Sequence, residues 1–185
     1  ALVLAPRDGA DLYLLAGRQV VTRERDEVLA LTVTERLPDG VAVEETIARI
    51  RAAGGLPVVS WAPGKWLGAR GAIVRRLLAA GEPGRLLIGD TTLRPLGLPE
   101  PLAMRRGRRA GYGVIAGSDP LPFAGEEVRL GTYGSAIEGA FDAARPVSSV
   151  RAILGAPGLR SRSVGRRGGP MTVFARLRAN AGVRH

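Results

Sequence analysis

The sequence predicts an α/β chain of parallel strands joined by crossover helices. Short apolar runs rich in Leu, Val and Ile alternate with segments whose apolar residues recur at helical spacing. The helical segments end on Gly or Pro, and the strand–helix order repeats along the middle of the chain. Such an order implies parallel pairing with crossover helices.

Taken in order, residues 12–22 (LYLLAGRQVVT) read as a strand with a break at Gly17. Residues 27–34 (EVLALTVT) are a second strand, rich in β-branched residues. Pro38-Asp39-Gly40 is turn chemistry. Residues 43–53 form a helix: Val43, Ile47 and Ile50 fall on one face, acids sit at its start, and Gly54-Gly55 ends it. Residues 56–61 (LPVVSW) are a short buried strand. Residues 69–80 are the next helix, with Ile73, Leu77 and Leu78 inward and a stop at Gly81 and Pro83. Residues 86–90 are a strand, 102–110 a basic helix, and 114–119 (VIAGSD) the following strand. Residues 148–154 form a short helix, 155–170 read as a Gly/Arg/Ser-rich loop, and 171–179 are a terminal helix. Residues 1–154 are thus read as one β/α domain, and 155–185 as a loop and a C-terminal helix.

Composition narrows the chemistry. The 185 residues suffice for one domain, which at this length buries roughly 70% of its unfolded surface. Aromatic residues are 4%, so aliphatic side chains must build the core. There is no Cys, which excludes disulfides, thiolate metal sites and a cysteine nucleophile. The one His is His185, the last residue, so no His triad or His cluster can be assembled. No apolar stretch reaches the ~20 residues of a membrane span, and a basic signal-peptide n-region is missing, so no membrane association and a cytoplasmic location are expected. The net charge is +10, carried by 26 Arg and a single Lys, Lys65. The arginines are dispersed, so a solvated basic surface is favoured over nucleic-acid binding.

Working residues in parallel α/β folds sit at the carboxyl ends of strands. Asp119 ends an apolar strand before Pro120, where a carboxylate can act as a base or hold a metal; the alternative is a turn-capping Asp. Asp90 follows Leu-Leu-Ile-Gly and is a second such carboxylate, or a turn residue. The segment from Trp61 to Gly71 holds both Trp residues and Lys65. Its Gly-rich backbone with Lys65 and Arg70 can receive an anion, or it is a Trp-packed loop. Gln19 is a neutral amide suited to hydrogen-bonding a ligand. Glu126 and Glu127 read as solvated loop charges.

Four pieces, in this order and spacing, resemble the later two-thirds of a PHP-type (polymerase and histidinol phosphatase) metal-dependent phosphoesterase. They are Leu15-Ala16-Gly17-Arg18-Gln19-Val20 with Glu27-Val28-Leu29-Ala30-Leu31, then Glu44-Glu45-Thr46-Ile47 through Gly54-Gly55-Leu56-Pro57-Val58-Val59, then Leu86-Leu87-Ile88-Gly89-Asp90, then Ala116-Gly117-Ser118-Asp119. The resemblance implies an incomplete or distorted TIM-like β/α barrel and, in an active member, a divalent metal such as Mn, Fe or Zn. It also implies a metal ligand where Gln19 stands, a His-Pro where Ser60-Trp61 stands, and a closing G-S-D-x-H where Asp119 is followed by Pro120 and Leu121. The opening H-x-H strand is not found before Leu12. Only Asp119 remains as the implied metal and catalytic carboxylate. The expectation is therefore a degenerate PHP-like domain, non-catalytic, whose mouth (Gln19, Trp61, Lys65, Arg70, Asp90, Asp119) binds a phosphorylated or acidic small molecule, or a structural subunit whose sheet is completed by a second subunit or another copy. The rivals are an active hydrolase completed by a partner chain and a basic nucleic-acid-associated module.

Overall fold

The computed structural model describes residues 1–5 and 9–183, so His185 lies outside the described residues. Its centre is a five-stranded sheet of neighbouring strands β3 (Gly17–Val21), β4 (Glu27–Leu31), β5 (Leu56–Ser60), β6 (Leu87–Thr91) and β7 (Val114–Gly117). The β5–β6–β7 half is parallel, and its crossovers are α2 (Gly68–Ala79) and α3 (Leu102–Arg109), as the strand–helix order requires.

The other half corrects the expectation. The chain is not a parallel TIM-like barrel; its central sheet is mixed and open, because β4 runs antiparallel to both β3 and β5. Loop length explains the first pairing. Only residues 22–26 separate β3 from β4, and the amide of Thr22 donates to the carbonyl of Asp26 at 2.8 Å. A parallel connection needs a dozen residues or more. The path after β4 explains the second. Residues 32–42 travel back to the opposite sheet end, where Gly40 N–H donates to Val21 O and Arg23 N–H to Val41 O. Helix α1 (Val43–Ala52) then returns, so β5 begins opposite the end of β4, with Leu56 facing Leu31.

Alternation along the strands divides the core. Val20, Val28, Ala30, Val59, Ile88 and Val114 pack beneath the three helices, meeting Ile47 and Ile50 of α1, Val74 and Leu77 of α2, and Met104 of α3. Each such fully buried aliphatic side chain contributes roughly 1.5–3 kcal/mol. The opposite face carries Val58 and Leu87, covered at one end by Leu154 of α4 (Pro146–Leu154). At the other end that face stays open.

Two hairpins were not read from the sequence. Residues 12–22 are two strands in different sheets: β2 (Leu12–Leu14) pairs with β1 (Leu2–Leu4), and β3 begins at Gly17. The 155–170 segment, read as loop, contains β9 (Ser161–Gly165), which pairs with β8 (Tyr133–Ile137). This second hairpin lies beside β7 without extending the backbone ladder. The hydroxyl of Ser135 accepts from Ala116 N–H at 2.8 Å, and that of Ser161 donates to Val114 O. Side chains thereby occupy groups that a bare sheet edge would leave free. Helix α5 (Pro170–Val183) closes the chain.

Gly55, between α1 and β5, makes a test of this packing. A Cβ there would stand 2.1 Å from a Val33 methyl carbon and 2.9 Å from Leu31 O. We expect Gly55→Ala to cost about 1–3 kcal/mol in urea unfolding, as overpacking does; an unchanged midpoint would contradict the packing.

Candidate functional site

The carboxyl ends of β5, β6 and β7 and the start of β4 surround a cleft of about 650 Å³. Gly89 lines it and lets neighbouring side chains close over the sheet. Gly89 of β6 lies between Ser60 and Ile115 in register, and a Cβ on it would reach 2.6 Å from the Ser60 hydroxyl. Leu29, Leu31, Val58 and Ile115 supply apolar walls, and Leu177 and Asn180 of α5 form the remaining side.

Of the residues expected at the mouth, five line this cleft: Gln19, Trp61, Lys65, Asp90 and Asp119. Gln19 reaches it from the middle of β3 rather than from a strand end. Arg70 does not line it; it sits in the first turn of α2, and its charge acts on Asp26 instead. The loop after β5 is the Trp-packed alternative. Trp61 and Trp66 are both buried, Trp61 N–H donates to Gly89 O at 2.8 Å, and the Trp66 indole donates to Ser60 O at 3.1 Å. Lys65 points to Glu27 at the start of β4 and forms an ion pair with it.

The two strand-end carboxylates have opposite fates. Asp90 is fully engaged: Arg94 donates to both its oxygens, at 2.7 and 2.6 Å, and the Tyr133 hydroxyl donates at 2.8 Å. Burial alone would raise its pKa, but these hydrogen bonds overcome burial and hold the carboxyl below its usual range. Asp119 has no cation bonded to it among the described residues. Burial, then the nearby Glu27 charge, push its pKa up, while Arg176 and Lys65 oppose them more weakly. Its backbone is left-handed, with φ 48°, a conformation that Asp and Asn tolerate better than other side chains.

The strand-end loop is held by Arg176, which no sequence pattern singles out, and by Glu126. Glu126, expected as a solvated charge, is 3% exposed and bound in bidentate fashion by Arg176 of α5, with contacts down to 2.6 Å. The same guanidinium donates to the Thr92 hydroxyl at 2.8 Å and to the backbone carbonyl of Asp119 at 2.9 Å. Glu126 also accepts from Leu121 N–H at 2.9 Å, and the Thr92 hydroxyl donates to Ser118 O. Burial would raise the Glu126 pKa, but Arg176, the Leu121 amide and Arg129 bring it down to about 2. Arg94 was within reach of a sequence argument, four residues after Asp90. Arg176 and Glu126, fifty residues apart, give no local signal.

A divalent metal does not fit these residues. Metal centres that do chemistry use three or more protein ligands. Among the described residues no group of three or more His, Cys, Asp or Glu side chains converges. Asp90 is capped by Arg94 and Tyr133, and Glu27 is paired with Lys65.

Fold and site together define an open, mixed α/β domain with a strand-end cleft. No protein-family model matches the chain, and neither a curated protein nor a solved structure matches it significantly. Among the described residues no helix is long and apolar enough to cross a membrane.

The two shifted carboxyls predict opposite pH behaviour. Glu126 has a lowered folded pKa, so its contribution to stability is full above about pH 4.5 and is lost as pH falls through about 2. Asp119 has a raised one, so stability declines as pH rises from 3.8 through its folded value. In calorimetric melting, Asp119→Asn should melt above wild type at neutral pH, with the gap closing below pH 3.8. Arg176→Met should cost about 3–5 kcal/mol at neutral pH, because it leaves Glu126 buried without its partner.

Proposed function

We propose that this protein binds a small organic molecule in the strand-end cleft without turning it over. The observation that carries the reading is the cleft itself: about 650 Å³, with aliphatic walls and a few convergent polar groups at the carboxyl ends of parallel strands. That combination is the usual anatomy of a ligand site in open α/β sheets. The non-catalytic half of the reading rests on what surrounds the polar groups. Asp90 and Glu126 serve the architecture, Lys65 is tied to Glu27, and no His or Cys accompanies Asp119 in the cleft. A PHP-like origin remains compatible with this reading and would make Asp119 the remnant of a lost metal cluster. Saturation-transfer NMR against a fragment library should give hits on the wild type that vanish in Leu29→Trp, which fills the cleft. Hits indifferent to that substitution would contradict the reading. Hydrolysis of bis-p-nitrophenyl phosphate with Mn²⁺ should be no faster than with Asp119→Asn.

A second reading, as a structural subunit, is favoured by the β1–β2 hairpin. Leu2, Val3, Leu4, Leu12 and Leu14 are all exposed there, in a clustered apolar surface unusual for an isolated chain. Tyr13 anchors the hairpin by an edge-on contact with Phe141, ring centres 4.8 Å apart. On this reading sedimentation equilibrium should show self-association that Leu4→Glu with Leu12→Glu abolishes; a monomer at high concentration would count against it.

A further inference from the structure

We infer that the cleft selects a small organic cation, an amine with an apolar body, whose ammonium group pairs with the Asp119 carboxylate and donates to the Asn180 carbonyl oxygen. The inference rests on the binding reading above and names its ligand class.

Charge is distributed against expectation. The chain carries a net charge of +10 and 26 arginines, yet among the described residues the cleft is lined by no arginine at all. Its charged lining is Glu27, Asp90, Asp119 and Lys65: three acids and one base. Lys65 is neutralised by Glu27, and Asp90 by Arg94, which bonds to it from behind. Arg176, the other cation near Asp119, is spent on Glu126 and touches only the Asp119 backbone. What remains is the Asp119 carboxylate, facing a cleft in which each nearby cation already has a partner. An incoming phosphate or carboxylate would find no free cation and would meet this charge. An ammonium would favour the charged form of Asp119, which burial and then the Glu27 charge disfavour.

The neutral polar groups point to the same chemistry independently. Asn180 is 9% exposed, and its side-chain oxygen is buried without a hydrogen-bond partner among the described residues. The Ser60 hydroxyl is likewise buried and unpartnered. Both line the cleft. A buried acceptor left unpaired costs on the order of 1–3 kcal/mol. Ligand N–H or O–H donors answer an amide oxygen and a carboxylate; a ligand that only accepts does not. The walls of Leu29, Leu31, Val58 and Ile115 favour a hydrocarbon portion rather than a polyamine with charge along its length.

The test is calorimetric titration of the full chain with 2-phenylethylamine, 2-phenylethanol and 3-phenylpropionate, which share a ring and differ in charge. The amine should bind at least about ten-fold more tightly than the carboxylate, the scale of one charge-assisted hydrogen bond. That advantage should be lost in Asp119→Asn and reduced in Asn180→Ala. Asn suits the left-handed backbone at residue 119, and melting curves of each variant verify folding. Tighter binding of the carboxylate or alcohol, abolished by Leu29→Trp, would overturn the cation assignment while leaving the cleft as a binding site. No binding by any of the three, or binding indifferent to Leu29→Trp, would overturn both.

Discussion

The Arg176 guanidinium, buried between α5 and the strand ends, is the contact on which the geometry of the site depends. It grips Glu126 with two nitrogens, holds the Thr92 hydroxyl with a third, and reaches the carbonyl of Asp119. Through Glu126 it also fixes the Leu121 amide. The turn after β6, the loop after β7 with the 3-10 turn Glu126–Arg129 that follows it, and α5 are therefore tied at one point. A buried ion pair of this kind adds little stability over an apolar substitute, because two charges have been taken out of water. Its effect is geometric. It places α5 so that Leu177 and Asn180, one and four residues beyond Arg176, face the cleft, and it holds Asp119 in a left-handed conformation that its own backbone does not favour.

Asp90 and Asp119 end neighbouring parallel strands, and one cross-strand difference separates them. Asp90 finds a guanidinium four residues on and a phenol from the β8–β9 hairpin, so it is a structural joint. Asp119 turns out of the ladder at its positive φ and has no cation bonded to its carboxylate among the described residues. Burial raises both pKa values, but at Asp90 the hydrogen bonds from Arg94 and Tyr133 outweigh it, whereas at Asp119 the Glu27 charge adds to it. Only the second carboxyl is left without a bonded cation, and it lines the same cleft as Ser60 and Asn180, whose side-chain oxygens are unpartnered among the described residues.

The parts of this molecule legible in the sequence are those decided by local pattern. The helices at Val43–Ala52 and Gly68–Ala79 and the strands at Leu56–Ser60 and Leu87–Thr91 follow from apolar spacing and Gly or Pro stops. The strand-end rule then gathers Trp61, Lys65, Asp90 and Asp119 in one cleft. Strand direction is not legible in local pattern, because the return of residues 32–42 to the opposite sheet end, not the presence of a helix, sets β4 against β5. A barrel implied by family resemblance does not survive that reversal. The β8–β9 hairpin was invisible because its strands, YGSAI and SRSVG, are short and carry few apolar residues. Glu126 looks exposed in the sequence because the arginine that binds it lies fifty residues away.

Amide hydrogen exchange, comparing wild type with Arg176→Met, tests most directly whether Arg176 holds the site together. The account predicts that the Leu121 amide, which donates to Glu126, loses protection selectively, while the amides of Val59 and Ile88 within the sheet keep theirs. Unchanged protection at Leu121, or a uniform loss across the sheet, would contradict it.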